Sequence, residues 1–167
     1  MRIHTLRRTQ ELDCTPQEVF PFFADAFNLE ALTPPLLRFR VVTPGPIAMQ
    51  AGTLIQYRLR LRGVPVTWKT LIQEWTPARH FVDTQLSGPY ALWHHAHEFD
   101  PLPGERTLMT DTVRYAVGLG PLGTVAHRVL VRRDVEAIFD YRRDALAPLL
   151  AERLRSPEPL RDRRTRG

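Results

Sequence analysis

"LIQYRLRLRGVPVTWKTLIQEW", Leu54 to Trp75, alternates apolar and polar residues on both sides of Arg62-Gly63. Period-two alternation marks half-buried strands, and Arg-Gly between two such runs marks a two-residue hairpin turn. The turn sets the register, with Leu61 opposite Val64, Leu59 opposite Val66 and Tyr57 opposite Trp68. That set is apolar and belongs to a core. Arg58, Arg60, Arg62, Lys69 and Gln73 take the other parity and belong to solvent.

The same reading extends from Leu37 to Val117, broken at Pro44-Gly-Pro46, Arg62-Gly63, Thr76-Pro-Ala-Arg79, Ser87-Gly-Pro89 and Pro101-Leu-Pro-Gly104. Six strands in an antiparallel meander follow. Upstream, Arg2–Leu12 is compatible with a further strand. Thr15, Pro16 and Glu18 then spell a helix start, with Thr15 as N-cap and Glu18 closing a capping box. A short helix burying Val19, Phe22 and Phe23 is expected there, and a second from Asp25 to Leu32, ended by Thr33-Pro-Pro35.

After Leu119-Gly-Pro-Leu-Gly123 the period changes. Val125, Val129, Ile138, Phe139, Ala145, Leu146 and Leu149 fall on one side of a long helix expected over roughly residues 122–153, with Pro148 kinking or shortening its last turns. The expected fold is α+β: a seven-stranded antiparallel sheet curled around a long C-terminal helix, with two short helices after the first strand. One helix cannot fill the concavity of such a sheet, so a pocket is expected between them.

A chain of 167 residues, 43% hydrophobic, fits one domain, taken here as 1–155. Its net charge of +5 invites a nucleic-acid reading, but the end "RLRSPEPLRDRRTRG" carries much of the excess. Residues 156–167 are expected to be a basic, disordered tail. Arg58, Arg60, Arg62, Lys69 and Arg114 form a convex face without the outward aromatics that stack single-stranded bases, which argues against a nucleic-acid partner. Cys14 is the single cysteine, which excludes an internal disulfide. The N-terminal stretch lacks the apolar run of a signal peptide, and no segment approaches the length of a transmembrane helix. A cytoplasmic location is the expectation.

The stretch "YALWHHAHEF", Tyr90 to Phe99, places three histidines among apolar neighbours. A turn centred near residue 103 would set Trp93 opposite Val113, His95 opposite Asp111, His97 opposite Met109 and Phe99 opposite Thr107. His94 then faces out, and His95 and His97 face in. The preceding strand adds Phe81, Asp83 and Gln85. The expected inner face therefore mixes Tyr57, Trp68, Ile72, Trp93, Val113 and Tyr115 with Asp83, Gln85, His95, His97 and Asp111. Buried polar groups on this scale need partners or water.

This order of elements, carried by "LEALTPPLLRFRV", "GTLIQYRLRLRGVPVTWKTLIQEWTP", "FVDTQLSGPYALWHHAHEF" and "TLMTDTVRYAVGLGPLG", resembles the SRPBCC or START-like superfamily with its helix-grip fold. Within it the chain is similar to the bacterial branch labelled polyketide cyclase/dehydrase or ligand-binding. The resemblance covers residues 3 to about 150. It implies a cavity for a small hydrophobic or amphipathic ligand such as a lipid, a polyketide or a quinone-like molecule. It also raises an epimerase-like protein partner, since such modules are fused to epimerase-like domains.

Three chemical readings of the inner face remain. As a carrier, the protein binds a ligand among Trp68, Trp93, Phe99 and the helix residues Val129 and Phe139, without chemistry and without a cofactor; this is the leading expectation. As a cyclase or dehydratase, it uses His95 with Asp111 and a tyrosine, Tyr57 or Tyr115, as an acid-base set. The spacing of His95 and His97 beside Asp83 or Asp111 could also suit a metal, but no helical His-Glu-x-x-His pattern supports one, and the expectation is no metal. Oligomeric state has no signature in the sequence.

Overall fold

The structure is a computed structural model that describes residues 1–118 and 130–155. Strand β1 (His4–Leu12) leads into helix α1 (Pro16–Phe23). The Thr15 side chain accepts from the Glu18 amide at 3.3 Å, and the Thr15 amide donates to the Glu18 carboxylate at 2.7 Å. Two of the orphan donors at the helix start are thereby satisfied. The expected second helix is a 3-10 turn, Ala26–Glu30, capped by the Asp25 side chain. Another short 3-10 turn, Pro35–Leu37, follows.

Six strands follow: β2 (Arg40–Val41), β3 (Leu54–Leu61), β4 (Val64–Thr76), β5 (His80–Ser87), β6 (Leu92–Leu102) and β7 (Arg106–Ala116). They form one antiparallel sheet with β1, in the order β1-β7-β6-β5-β4-β3-β2. The β3–β4 hairpin pairs Leu61 with Val64, Leu59 with Val66 and Tyr57 with Trp68, as the alternation requires. Register shifts in β4 against β5, at Lys69/Thr70 and Ile72/Glu74, add the bend that lets the sheet curl.

The β6–β7 hairpin differs from expectation. β6 runs through Pro101 to Leu102, and the turn is Pro103-Gly104-Glu105, with Gly104 and Glu105 at positive φ. The centre of the turn moves by one residue, so every partner moves by two. Trp93 pairs with Tyr115, His95 with Val113, His97 with Asp111 and Phe99 with Met109. A shift of two keeps each side chain on its face. Trp93, His95, His97 and Phe99 are buried, whereas His94 is only half-buried.

Helix α2 (Arg132–Arg155) crosses the concave face and buries Val135, Phe139, Arg142, Leu146 and Leu150, while Ile138, Ala145 and Leu149 flank that stripe. The helix continues through Pro148 to Arg155, so the proline does not end it. The earlier part of the expected helix, with Val125 and Val129, lies outside the described residues, as does the tail from 156. At the tip of the β3–β4 hairpin, Arg62 grasps Asp134 in the first turn of α2 through two hydrogen bonds of 2.9 Å. Arg8 of β1 reaches Asp140 at 3.1 Å. No helix among the described residues is long and apolar enough to cross a membrane.

Candidate ligand cavity and its histidine-aspartate floor

The buried apolar residues fall into three clusters. One joins α1 to the far end of α2 around Phe20, Phe22, Phe99 and Leu146. The second joins Trp93 and Val113 to Val135 and Phe139. The third joins Ala26 and Val41 to Ile55, Tyr57 and Ile72. Members of all three line a cavity of about 130 Å3 bounded by β3–β6, α1, the 3-10 turn at Ala26–Glu30 and α2. The helix leaves this space because its stripe is too narrow for the curl of the sheet.

Of the residues expected at the site, Tyr57, Trp68, Ile72, Asp83, Trp93, His95, His97 and Phe139 border this cavity. Asp111 lies behind the histidines and borders a narrow crevice instead. Three more of the expected residues do not border the cavity. Val113 is fully buried in the second cluster, covered by Leu6 and the helix. Tyr115 packs on Trp93, with its ring 5.7 Å from that of His4, away from the cavity. Gln85 spends its side-chain amide on Tyr90, donating to its carbonyl at 2.7 Å and accepting from its amide at 3.3 Å, which closes the β5–β6 turn. The fourth, Val129, is outside the described residues.

The polar floor is built by three adjacent strands. His95 and His97 project from β6, Asp83 from β5 and Asp111 from β7, all to the concave side. His95 Nε2 lies 3.0 Å from Asp111 Oδ1 and its Nδ1 lies 3.3 Å from Asp83 Oδ2. His97 Nε2 lies 3.1 Å from the same Asp83 oxygen, and its Nδ1 approaches Asp111 to 2.8 Å without hydrogen-bond geometry. His95 thus spans both carboxylates, whereas His97 bonds Asp83 alone. The two imidazole rings lie 3.7 Å apart, Phe81 stacks on His97 at 3.9 Å, and the Phe139 edge meets His95 at 5.2 Å.

An ionised carboxylate only accepts hydrogen bonds, so His95, with both nitrogens on carboxylates, is held as an imidazolium. Burial alone would lower the pKa of His95, but Asp83 and Asp111 outweigh it and raise it above its ordinary value. Burial alone would raise both aspartates, but the imidazoles on either side outweigh it and hold each carboxyl well below the usual range. The Tyr57 phenol, bonded to Thr70, is pushed up by burial and stays a neutral hydroxyl. Burial likewise pushes the Cys14 thiol up to about 11, which removes it as a nucleophile at neutral pH.

Asp83, His95 and His97 each offer one atom within 4.8 Å of the others, a spacing that a metal ion could use. Among the described residues most of their donors and acceptors meet each other, while His97 Nδ1 stays buried without a hydrogen-bond partner.

The sequence reading missed Arg142. It sits on the buried stripe of α2, 9% exposed, and borders both the cavity and the crevice behind Asp111. Its guanidinium lies over the Phe139 ring at 4.9 Å, and its Nε is buried without a partner. The signal was present as an arginine three residues after Phe139 and four before Leu146, on the apolar side. Tyr90, Phe22, Phe23 and Leu32 also border the cavity and were not singled out for it.

The model of the family described as polyketide cyclase / dehydrase and lipid transport matches residues 4–151. Among solved structures, the Zhui aromatase/cyclase from Streptomyces sp. R1128 is similar at a TM-score of 0.75 and 18% identity, covering 95% of this chain and 100% of that one. A norcoclaurine synthase point mutant from Thalictrum flavum, in complex with a transition-state analogue, aligns at 0.66 and 12% identity over 92% and 97%. A START superfamily protein from Mycobacterium smegmatis aligns at 0.62 and 15% over 89% and 98%. At these identities the likeness is one of fold. No curated protein matches the chain.

Proposed function

The chain belongs to the polyketide cyclase/dehydrase and lipid transport family, of the SRPBCC/START-like type, and from that membership we propose that it binds a small amphipathic ring compound between sheet and helix, without transforming it. The observation that carries this reading is the cavity of about 130 Å3 walled by Tyr57, Trp68, Ile72, Trp93 and Phe139 above the histidine-aspartate floor. A dry cavity of about 150 Å3 takes one benzene, so this space suits a single substituted ring, a quinone head or the terminal ring of a polyketide. The apolar wall supplies affinity and the polar floor orients the ligand.

Catalysis by His95 and Asp111 is the second reading, favoured by a charged imidazole at the cavity wall. The geometry weighs against it. Both nitrogens of His95 are committed to carboxylates, and none is left to donate to or accept from a substrate. An acid-base enzyme would speed the exchange of acetophenone methyl protons into D2O in a His95-dependent manner; the binding reading expects the uncatalysed rate.

Binding is tested with toluene and benzamide, neutral single-ring probes, by saturation-transfer NMR on the full chain. Saturable binding is expected, abolished in Leu59→Trp, which fills the cavity wall. Binding that Leu59→Trp leaves intact, or no binding of either probe, would overturn the reading. Native mass spectrometry of protein purified without detergent would then identify the class of any co-purifying ligand.

A further inference from the structure

Arg142 is a permanent charge in a place where the described residues give it no counterion. Its Nε is buried without a hydrogen-bond partner, and no ion pair joins it to another of the described residues. The neighbouring acids of its own helix are engaged elsewhere: Asp140 by Arg8 and Arg143, Asp144 by Arg143, Glu136 by Arg132. Asp83 and Asp111 are held by the two histidines. The stretch 119–129, between β7 and the helix, contains no aspartate or glutamate. The contact that remains is the Phe139 ring, and a cation over a ring recovers only part of what a guanidinium loses on leaving water.

A buried charge without a partner is expensive unless something outside the chain completes it. Trp68 adds a second, independent sign. It borders the same cavity, and its indole Nε1 is buried without an acceptor. Both unmatched groups are donors, and neither can accept. Resting on the binding function above, we propose that the cavity is built for an anionic ligand, an aromatic carboxylate or phenolate, whose oxygen is bound by the Arg142 guanidinium while its ring lies among Trp68, Trp93 and Phe139.

The donor set favours an anion over a neutral ketone for a physical reason. Charge-assisted bonds to guanidinium are about twice as strong as neutral ones, and a dry wall screens them little. The floor then has a separate task. The His95 imidazole, held between Asp83 and Asp111, offsets their charge, so the floor repels an entering anion less.

The test pairs benzoate with benzamide, equal in shape and different in charge, on the full chain by ligand-observed NMR or calorimetry. Benzoate should bind at least about tenfold tighter than benzamide. In Arg142→Leu the two should fall within about twofold of each other, benzamide should keep its affinity, and the ligand-free melting temperature should rise, because an unmatched buried charge has been removed. Trp68→Phe should lower benzoate affinity by a smaller factor. Equal binding of the two probes by the unmodified protein would overturn the anion site while leaving the cavity intact. Loss of benzoate preference in Arg142→Leu with a lowered melting temperature would recast Arg142 as structural. Failure of every ring probe would sink this inference together with the reading beneath it.

Discussion

Asp111 accepts from His95 at 3.0 Å and lies 2.8 Å from His97, and Asp83 faces the same pair from the other side. Two carboxylates and two imidazoles on three strands form one unit, so their removal should not be additive. His95→Gln and Asp111→Asn should each cost about 1–3 kcal/mol, and the double variant clearly less than their sum. Full additivity in denaturant titrations would dissolve the unit. The pH dependence follows from the two kinds of shift. Asp83 and Asp111 are depressed from 3.8, so their contribution is present above that value and lost as pH falls through their lower folded values. His95 is raised from 6.5, so its contribution is complete below 6.5 and lost as pH rises through its higher folded value. Melting temperature should therefore hold between about 3.8 and 6.5 and fall as pH rises above 6.5, with a shallower fall in His95→Gln. A flat profile in the unmodified protein would remove the imidazolium.

At the scale of elements, α1 depends on its start. Thr15→Ala removes the cap and leaves the Glu18 carboxylate without half of its box, and should lower stability by about 1 kcal/mol, read as a lower denaturation midpoint at unchanged slope. An unchanged midpoint would mean that packing of Val19, Phe20 and Phe22 alone holds the helix. That start was legible because a cap is a local device with a short spacing. The faces of the hairpins were legible for a different reason: parity survives any even error in register. The partners in the β6–β7 hairpin were not legible, because Pro101 was read as the end of a strand that in fact continues to Leu102. His95 and Asp111 still meet, diagonally rather than directly opposite. Gln85 and Val113 were assigned to the site on parity alone, yet a local bond to Tyr90 takes one and close packing covers the other. Arg142 escaped because a helix was read for its apolar positions, and a charge among them carries no periodic signal.

At the scale of the molecule, the sheet and helix meet through apolar clusters inside and through ion pairs at the rim. The Arg62–Asp134 pair joins the hairpin tip to the first turn of α2, next to Leu61 and one turn before Ile138, which both border the cavity. Both partners are more than a third exposed, 55% and 38%, so the pair adds little to stability and is screened by salt. What such a contact governs is time. A weak strap between two walls of a cavity changes how long a guest stays and how soon it enters, in equal proportion, and leaves the occupancy untouched. In Arg62→Ala, or in about 1 M salt, toluene should enter and leave faster at the same dissociation constant, visible as narrower lines in exchange-broadened NMR spectra. Unchanged exchange would detach the strap from the cavity. The residence of a guest in this protein would thus be set by one pair of surface charges, and its retention would shorten wherever ionic strength rises.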